Sequence, residues 1–410
     1  MARLYRLSGV KPRAKPCPVR LWQSFPGPQS KNRPGQTTRT GADKPQPKDT
    51  IMTVIDTLQP VEGAPAWRGD QLAGSNVWIY ELSPAQIAEL ETLGTKFLED
   101  SPDLRTVQAA DYPLIECAEA ITAWGHDVDY GRGFVLVRGL RSHLYSDPLS
   151  CAIYYILGLH MGDPIRQNEM GDLLDHVYAT SDKTMDDPTA LSSKVRDKLV
   201  YHSDSSDVVA LMCLRPSREG GLSCLVSGAE IYNEILRRRP DLAPLLLEPF
   251  HWDWKKQDHS APANTYTSPI ISLKDGVFSM YAGSLYILTA QDYPEVPRIT
   301  PEQVEVLELF DKITYEEGMA IEMDFRPGDI QWLSNYSALH ARTAFEDWPE
   351  PQRKRHLLRL WLSRDAGRPV VDDFGKNGVV QVREAPRDGG AEHPDAHFDI
   401  LSISVPRLIS

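Results

Sequence analysis

The strongest constraint on the fold is a change of sequence pattern near residue 208. Before it, apolar residues recur at helical spacing or form a strand bounded by glycines. The elements predicted for this part are helices at 83–97, 113–124 and 147–160 and a strand at 133–139. After it, helical inserts at about 228–238 and 301–316 separate short strand-like segments at 208–214, 222–227, 268–273, 277–281, 319–324, 329–334 and 356–363. Helices followed by many short strands predict an antiparallel sandwich or barrel with flanking helices.

Charge is distributed unevenly along the 410 residues, whose formal net charge is −13. Residues 1–51 contain eleven Lys and Arg but only Asp43 and Asp49, a balance of +9. The remainder holds 33 of the 44 basic and 55 of the 57 acidic residues, a balance of −22. An acidic body argues against a nucleic-acid partner, because the phosphate backbone is bound by basic faces.

Residues 1–51 also differ in composition, since they are proline-rich, basic and poor in apolar residues. They lack the apolar core of a secretory signal, and their prolines would disrupt the amphipathic helix of a transit peptide. They are either a basic disordered arm or an extension upstream of a native start at Met52. We favour the second, because fold-like periodicity begins shortly after Met52. The predicted organisation is one domain at 52–370, followed by a tail or extension of that domain at 371–410.

The five cysteines indicate a reducing compartment. They form no CxxC pair and no spacing typical of a disulfide framework, so we expect free thiols and a cytoplasmic protein. No apolar run reaches the length of a membrane span, and we therefore expect no membrane partner.

Two histidines and one carboxylate form a candidate metal site. His202 and Asp204 are two residues apart, so on a strand their side chains would share one face. His340, which follows the strand-like segment 328–334, is the candidate third ligand. Such a set leaves three positions open on a metal, as in the facial triad of non-haem Fe(II) oxygenases. The alternative is that His202 and Asp204 form a hydrogen-bonded surface pair.

Two arginines follow the third candidate ligand. Arg355 and Arg359 are four residues apart in the strand-like segment 353–362, so on a strand they would point to the same side. If that side is the interior, the guanidinium groups need anions, and a carboxylate suits their bidentate geometry. The alternative is an exposed arginine face. Both faces of this strand are largely apolar, so the alternation does not decide between the two.

Taken together, the order of these motifs resembles a known family. The segments are Tyr201–Asp204, Gly220–Ser223, Asn335–His340 and Arg355–Arg359. Over roughly residues 130–365 the chain looks like the taurine dioxygenase (TauD/TfdA-like) family of the clavaminate synthase-like superfamily. The resemblance implies an Fe(II)- and 2-oxoglutarate-dependent dioxygenase that is mostly β with flanking helices, on a double-stranded β-helix (jelly-roll) core.

The resemblance also implies roles for single residues. His202, Asp204 and His340 would hold Fe(II) and form the catalytic centre. Arg355 would bind the distal carboxylate of 2-oxoglutarate, helped by the hydroxyl of Ser223, where the family more often has Thr. Arg359 would bind the other carboxylate or an anionic substrate. Related halogenases have a small residue at the carboxylate position, so the aspartate here favours hydroxylation, desaturation or cyclisation.

The substrate side is the least determined. We expect a small, anionic or amino-acid-like substrate, such as an intermediate of secondary metabolism, together with O₂. Asn168 and Asn335 are candidates for substrate contact, and 164–168 and 251–267 are candidate covering segments. Asn335 fits equally well as a turn residue. A homo-oligomer is compatible with the sequence.

Three other classes of protein make different predictions for these residues. A non-catalytic cupin-like binding protein is the main alternative, and it predicts a broken triad or a missing co-substrate arginine. A JmjC-type demethylase would use lysine for 2-oxoglutarate. A zinc hydrolase would more usually have a third His or a Cys as ligand.

Overall fold

The computed structural model describes residues 58–168, 170–181, 194–254, 263–364, 368–375 and 396–406. These residues belong to one compact unit within 45–410. Residues 1–51 and Met52, to which two of the expectations refer, lie outside the described residues, as does most of the 371–410 segment.

The helices begin where the sequence carries capping signals. At Ser83 the hydroxyl accepts a hydrogen bond from the Gln86 amide and Pro84 occupies the first turn, and Thr300 and Pro301 repeat this arrangement. The described helices are α1 Gly69–Leu72, α2 Pro84–Asp100, α3 Ala118–Tyr130, α4 Asp147–Met161, α5 Gly228–Arg238, α6 Ser284–Ala290, α7 Pro301–Thr314 and α8 Ile400–Ile403.

Short strands make up the rest of the regular structure. Those before Gly228 are β1 Ile79–Glu81, β2 Phe134–Arg138, β3 Asp163–Pro164, β4 Asp175–Val177, β5 Leu199–His202, β6 Val208–Arg215, β7 Glu219–Gly220 and β8 Ser223–Ser227. Those after it are β9 Phe250–Asp253, β10 Thr265–Ser268, β11 Ile271–Lys274, β12 Val277–Met280, β13 Ala320–Met323, β14 Ile330–Ser334, β15 Ala338–Arg342, β16 Phe345–Glu346 and β17 His356–Ser363.

Two sheets contain most of the strands. The larger has the order β1-β2-β14-β6-β17-β3, with β4 also paired to β17, and the smaller has the order β13-β8-β15-β5. Apart from the parallel β1–β2 pair, the strand pairs of these sheets are antiparallel. Apolar side chains of both sheets pack into one core, among them Phe134, Val209, Leu225 and Ile321. Neighbouring strands distant in sequence fit the predicted jelly-roll, which is confirmed.

A second core lies between the helices and the larger sheet. It joins Leu90 and Phe97 of α2, Trp124 of α3 and Tyr154 of α4 to the sheet residue Leu360. Ile400 and Ile403 of α8 are buried in the same cluster, so this part of the predicted tail packs against the domain.

The structure differs from the predicted elements in several places. The predicted strand at 268–273 is divided between β10 and β11 at Pro269, which has no N–H to donate to a ladder. A third helical insert, α6, follows β12. The strands β5 and β15 were not predicted because they are short and carry polar residues. Their strand conformation depends on the pairing of β15 with β5 on one side and with β8 on the other.

Within the described ranges, no helix is both long and apolar enough to cross a membrane.

Candidate active site

The pairing of β5 with β15 brings the two histidines together. His202 and His340 are directly opposite in the antiparallel register, and their ring centroids are 4.3 Å apart. Directly opposite residues of an antiparallel pair point to the same face of the sheet. Strand register therefore brings together two histidines that are more than a hundred residues apart in the sequence.

Asp204 reaches the histidines from a loop rather than from a strand. β5 ends at His202, so the expectation that both residues lie on one strand is wrong. The loop is held by Asn335, whose Oδ1 accepts the Asp204 amide at 2.9 Å and whose Nδ2 donates to the Ser206 carbonyl at 2.9 Å. The Asn335 carboxamide thus holds the loop that carries Asp204.

The three side chains converge on one point. Asp204 Oδ1 lies 3.6 Å from His202 Nε2, and Asp204 Oδ2 lies 3.6 Å from His340 Nε2. One potential ligand atom from each residue lies within 4.8 Å of the others. His202 Nδ1 donates to the Val200 carbonyl at 2.8 Å, which leaves the Nε2 lone pair free to face a metal. No other group of three such side chains occurs in the part of the chain that was described.

The electrostatics of the group suit a divalent cation. Burial raises the pKa of Asp204, but His340 and His202 outweigh it, so the pKa is lowered and the carboxylate is ionised. Burial and then His202 lower the pKa of His340 to about 3. For His202, burial is outweighed by Asp204, and the pKa is raised. The site therefore offers an anionic oxygen and imidazole nitrogens, the ligand types of non-haem iron.

Arg355 is a buried cation with an uncommitted donor. It is 4% exposed, and its Nη1 has no hydrogen-bond partner among the described residues. Burial lowers its pKa to about 10, and its guanidinium lies 5.1 Å from the Phe345 ring. Gly221, at φ +70°, allows the close approach, because a Cβ there would lie 3.0 Å from Arg355 Nε. A guanidinium in this position fits an incoming carboxylate.

Arg342 is a neighbouring cation that the sequence analysis missed. It is buried on β15 two residues after His340, and it also lies over Phe345, at 4.8 Å. Its Nη2 donates to the Val195 carbonyl at 2.8 Å. Burial and then repulsion from Arg355 lower its pKa to about 9. The strand period of two, counted from His340, would have identified it.

Ser223 belongs to the same face of the smaller sheet. It lies opposite Arg342 in the β8–β15 register, and its Oγ donates to Gln331 Oε1 at 3.0 Å. Gln331, on β14, was also not singled out from the sequence.

Arg359 differs from Arg355 because protein groups already hold it. Its Nη2 donates to Asp175 Oδ2 at 3.0 Å, and its Nε donates to Gln167 Oε1 at 2.9 Å. The expectation that Arg355 and Arg359 point to the same side of one strand is wrong. Arg355 precedes β17, and the register of β17 with β6 shifts between His356 and Leu357. A bulge of this kind breaks the alternation that the spacing assumed.

The remaining predictions concern Asn168 and the two candidate covering segments. Asn168 is exposed, and its Nδ2 donates to Asp172 Oδ2 at 2.9 Å. Of the two candidate covering segments, 164–168 includes the end of β3, whereas 251–267 includes most of β9 and β10. Residues 255–262 of the second lie outside the described ranges.

The residues present fit both groups that the resemblance implies. Two imidazole nitrogens and a carboxylate suit Fe(II), and the uncommitted Arg355 donor suits a carboxylate of 2-oxoglutarate.

Comparison with known proteins points the same way. Residues 100–361 match the family model "Taurine catabolism dioxygenase TauD, TfdA family". FR-33289 synthase of Streptomyces rubellomurinus is 24% identical over 318 residues, which cover 76% of this chain and 92% of the relative. A taurine hydroxylase-like protein, SAT17, of Stachybotrys chartarum is 26% identical over 304 residues, covering 72% and 77%.

Solved structures show the same fold at low identity. Asparagine oxygenase, solved with Fe(II), hydroxyasparagine and succinate, has a TM-score of 0.54 and 16% identity over 70% of this chain and 93% of that one. The non-haem iron oxygenase OrfP, solved with Fe and alpha-ketoglutaric acid, has a TM-score of 0.51 and 15% identity, covering 70% and 94%.

Proposed function

Because the chain belongs to the TauD, TfdA family and is an Fe(II)- and 2-oxoglutarate-dependent oxygenase, we propose that it oxidises an unactivated C–H bond. The substrate is a small anionic or amino-acid-like molecule, and succinate and CO₂ are released. The reaction is a hydroxylation, desaturation or cyclisation, since the carboxylate of Asp204 occupies the position that halogenases leave open. The protein acts in the cytoplasm, in secondary metabolism, without nucleic-acid or membrane partners, and is compatible with a homo-oligomer.

The observation that carries this proposal is a buried Arg355 with an uncommitted donor in a chain that also has a complete His-Asp-His group. A guanidinium without an anion is costly in a protein interior, so its retention is explained by a ligand that brings a carboxylate. A non-catalytic binding protein would have no need of Arg355 and the triad together.

Each residue has a defined task in this proposal. His202, Asp204 and His340 hold Fe(II), and Arg355 holds the distal carboxylate of 2-oxoglutarate, with Ser223 as a further hydroxyl. When bound, iron and 2-oxoglutarate supply O₂ activation and the oxidation of the C–H bond. The protein orients the substrate and excludes water from the pocket.

Arg359 is the proposed anchor for an anion, either of the substrate or of the co-substrate. Asp175 and Gln167 hold its Nε and Nη2, so the Nη1 side is the part left to contact a ligand. A substrate that carries both a carboxylate and an ammonium group suits this place, where the positive Arg359 and the negative Asp175 lie side by side.

The test is succinate release from 2-oxoglutarate, screened across amino acids, small carboxylates and sulfonates. Iron and O₂ are present throughout, and His340→Ala serves as the inactive control. We expect one class to stimulate release well above the uncoupled background, with loss of 2-oxoglutarate and gain of a substrate oxidation product by mass spectrometry. The proposal is wrong if no class stimulates release and the purified protein binds neither iron nor 2-oxoglutarate.

A further inference from the structure

A tryptophan on β17 touches the candidate metal-binding carboxylate. The indole Nε1–H of Trp361 donates to Asp204 Oδ2 at 3.0 Å. The two residues are 157 positions apart, and Trp361 is placed by its register opposite Val209 of β6. Trp361 is not among the site residues predicted from the sequence.

The same indole also supports Arg359. The Arg359 guanidinium carbon lies 4.9 Å from the centroid of the Trp361 ring, within the range of a cation–π contact. The ring edge therefore contacts the metal-binding group, and its face contacts the proposed anion anchor. These two contacts are chemically separable, because phenylalanine keeps an aromatic face but has no N–H.

We propose that Trp361 is a positioning residue that orients the Asp204 carboxylate for metal binding, an inference that rests on the proposed iron site. Its N–H occupies one lone pair of Oδ2, so rotation of the carboxylate is restricted and binding through a single oxygen is favoured. Single-oxygen binding keeps positions free for a bidentate co-substrate and O₂. Groups that orient metal ligands in this way commonly contribute 10- to 100-fold to metal affinity.

The Asp204 loop shows why such an orienting group is needed. Its backbone is held by Asn335 through the Asp204 amide, which fixes the Cα but leaves the side-chain torsions free. Among the described residues, Trp361 donates a hydrogen bond to this carboxylate at 3.0 Å, whereas the Nε2 atoms of the two histidines lie 3.6 Å from its oxygens. The hydrogen bond from the Asp204 amide to Asn335 and the hydrogen bond from Trp361 to Oδ2 together determine the orientation of the carboxylate oxygens.

The experiment measures metal binding directly, by anaerobic calorimetry with Mn(II) and by the visible spectrum of the Co(II)-substituted protein. We expect Trp361→Phe to bind Mn(II) about 10- to 100-fold more weakly than the wild type and to show a changed Co(II) spectrum. Trp361→His, which retains a ring N–H, should recover part of the affinity.

The matched control is Trp78→Phe. It removes another partly buried indole N–H, which donates to the Leu72 carbonyl at 3.3 Å, and the Trp78 ring packs near Phe134, with 6.2 Å between the ring centroids. This variant should bind Mn(II) like the wild type. Circular dichroism melts distinguish a loss of fold from a loss of affinity. If Trp361→Phe fails to fold, Trp361→His is compared with Trp361→Tyr instead.

The outcomes separate the two proposals. Unchanged Mn(II) affinity and an unchanged Co(II) spectrum in a folded Trp361 variant would overturn the positioning role while leaving the iron site standing. Absence of metal binding in the wild type would instead reject the proposed function itself.

Discussion

Replacement of Arg355 by methionine tests the proposed co-substrate site in two ways, through ligand binding and through the stability of the ligand-free protein. The wild-type guanidinium is buried and has an unpartnered Nη1 among the described residues. Methionine keeps a long, flexible apolar side chain of similar reach but removes the charge and all donors. We therefore expect binding of 2-oxoglutarate to weaken and the ligand-free protein to become no less stable.

The magnitude follows from the burial of the charge. The pKa of Arg355 is lowered from 12.5 to about 10, and one pKa unit corresponds to about 1.36 kcal/mol. A lowered pKa of a base means that folding disfavours the cation, so at neutral pH the charge costs the ligand-free protein about 3 kcal/mol. Removing a buried charge-assisted contact to the ligand costs roughly 2–5 kcal/mol, a factor of roughly 30 to a few thousand in affinity.

The assay is 2-oxoglutarate titration by calorimetry and by succinate release, with urea denaturation of the ligand-free protein. Arg353→Met is the matched control, because Arg353 is about half exposed and pairs with Glu350 at 3.6 Å. It should leave the KM for 2-oxoglutarate unchanged. A KM within threefold of the wild type in Arg355→Met, or a ligand-free protein destabilised by several kcal/mol, would refute the assignment.

Four further predictions concern the metal, its pH dependence, the second arginine and the N-terminus. His202→Ala, Asp204→Ala and His340→Ala should each abolish stoichiometric iron binding and activity while circular dichroism stays unchanged, because each removes one of three ligands. Mn(II) affinity should fall as the pH is lowered, because the pKa of His202 is raised above its ordinary value and protons therefore compete more readily with the metal; a calorimetric profile that stays flat on acidification would contradict this. Arg359→Met should leave 2-oxoglutarate consumption but reduce the ratio of product to succinate, measured by mass spectrometry, whereas a large rise in the KM for 2-oxoglutarate would assign Arg359 to the co-substrate. A protein that starts at Met52 should match the full chain in solubility, melting temperature and turnover, because residues 1–51 lack a core-forming pattern, and a lower melting temperature would count against it.

Local patterns in the sequence predicted the elements that depend on near neighbours. Helix starts such as Ser83-Pro84 and Thr300-Pro301 are set by hydrogen bonds within one turn, so they are visible in the chain itself. Apolar strands such as β6 and β17 carry enough hydrophobic residues to be recognised without their partners. The order of motifs likewise carried the resemblance to the family, and that resemblance implied the jelly-roll.

Tertiary structure alone decided which polar groups meet. Register places His202 opposite His340, and a shift of one residue would have turned one of them to the other face. Packing pairs Arg359 with Asp175 across 184 positions and Trp361 with Asp204 across 157. Hydrophobic periodicity is a local property of the chain, whereas register and long-range contacts are set by the joint packing of whole sheets. The sequence therefore determined the candidate ligands, and the fold determined which partners orient them.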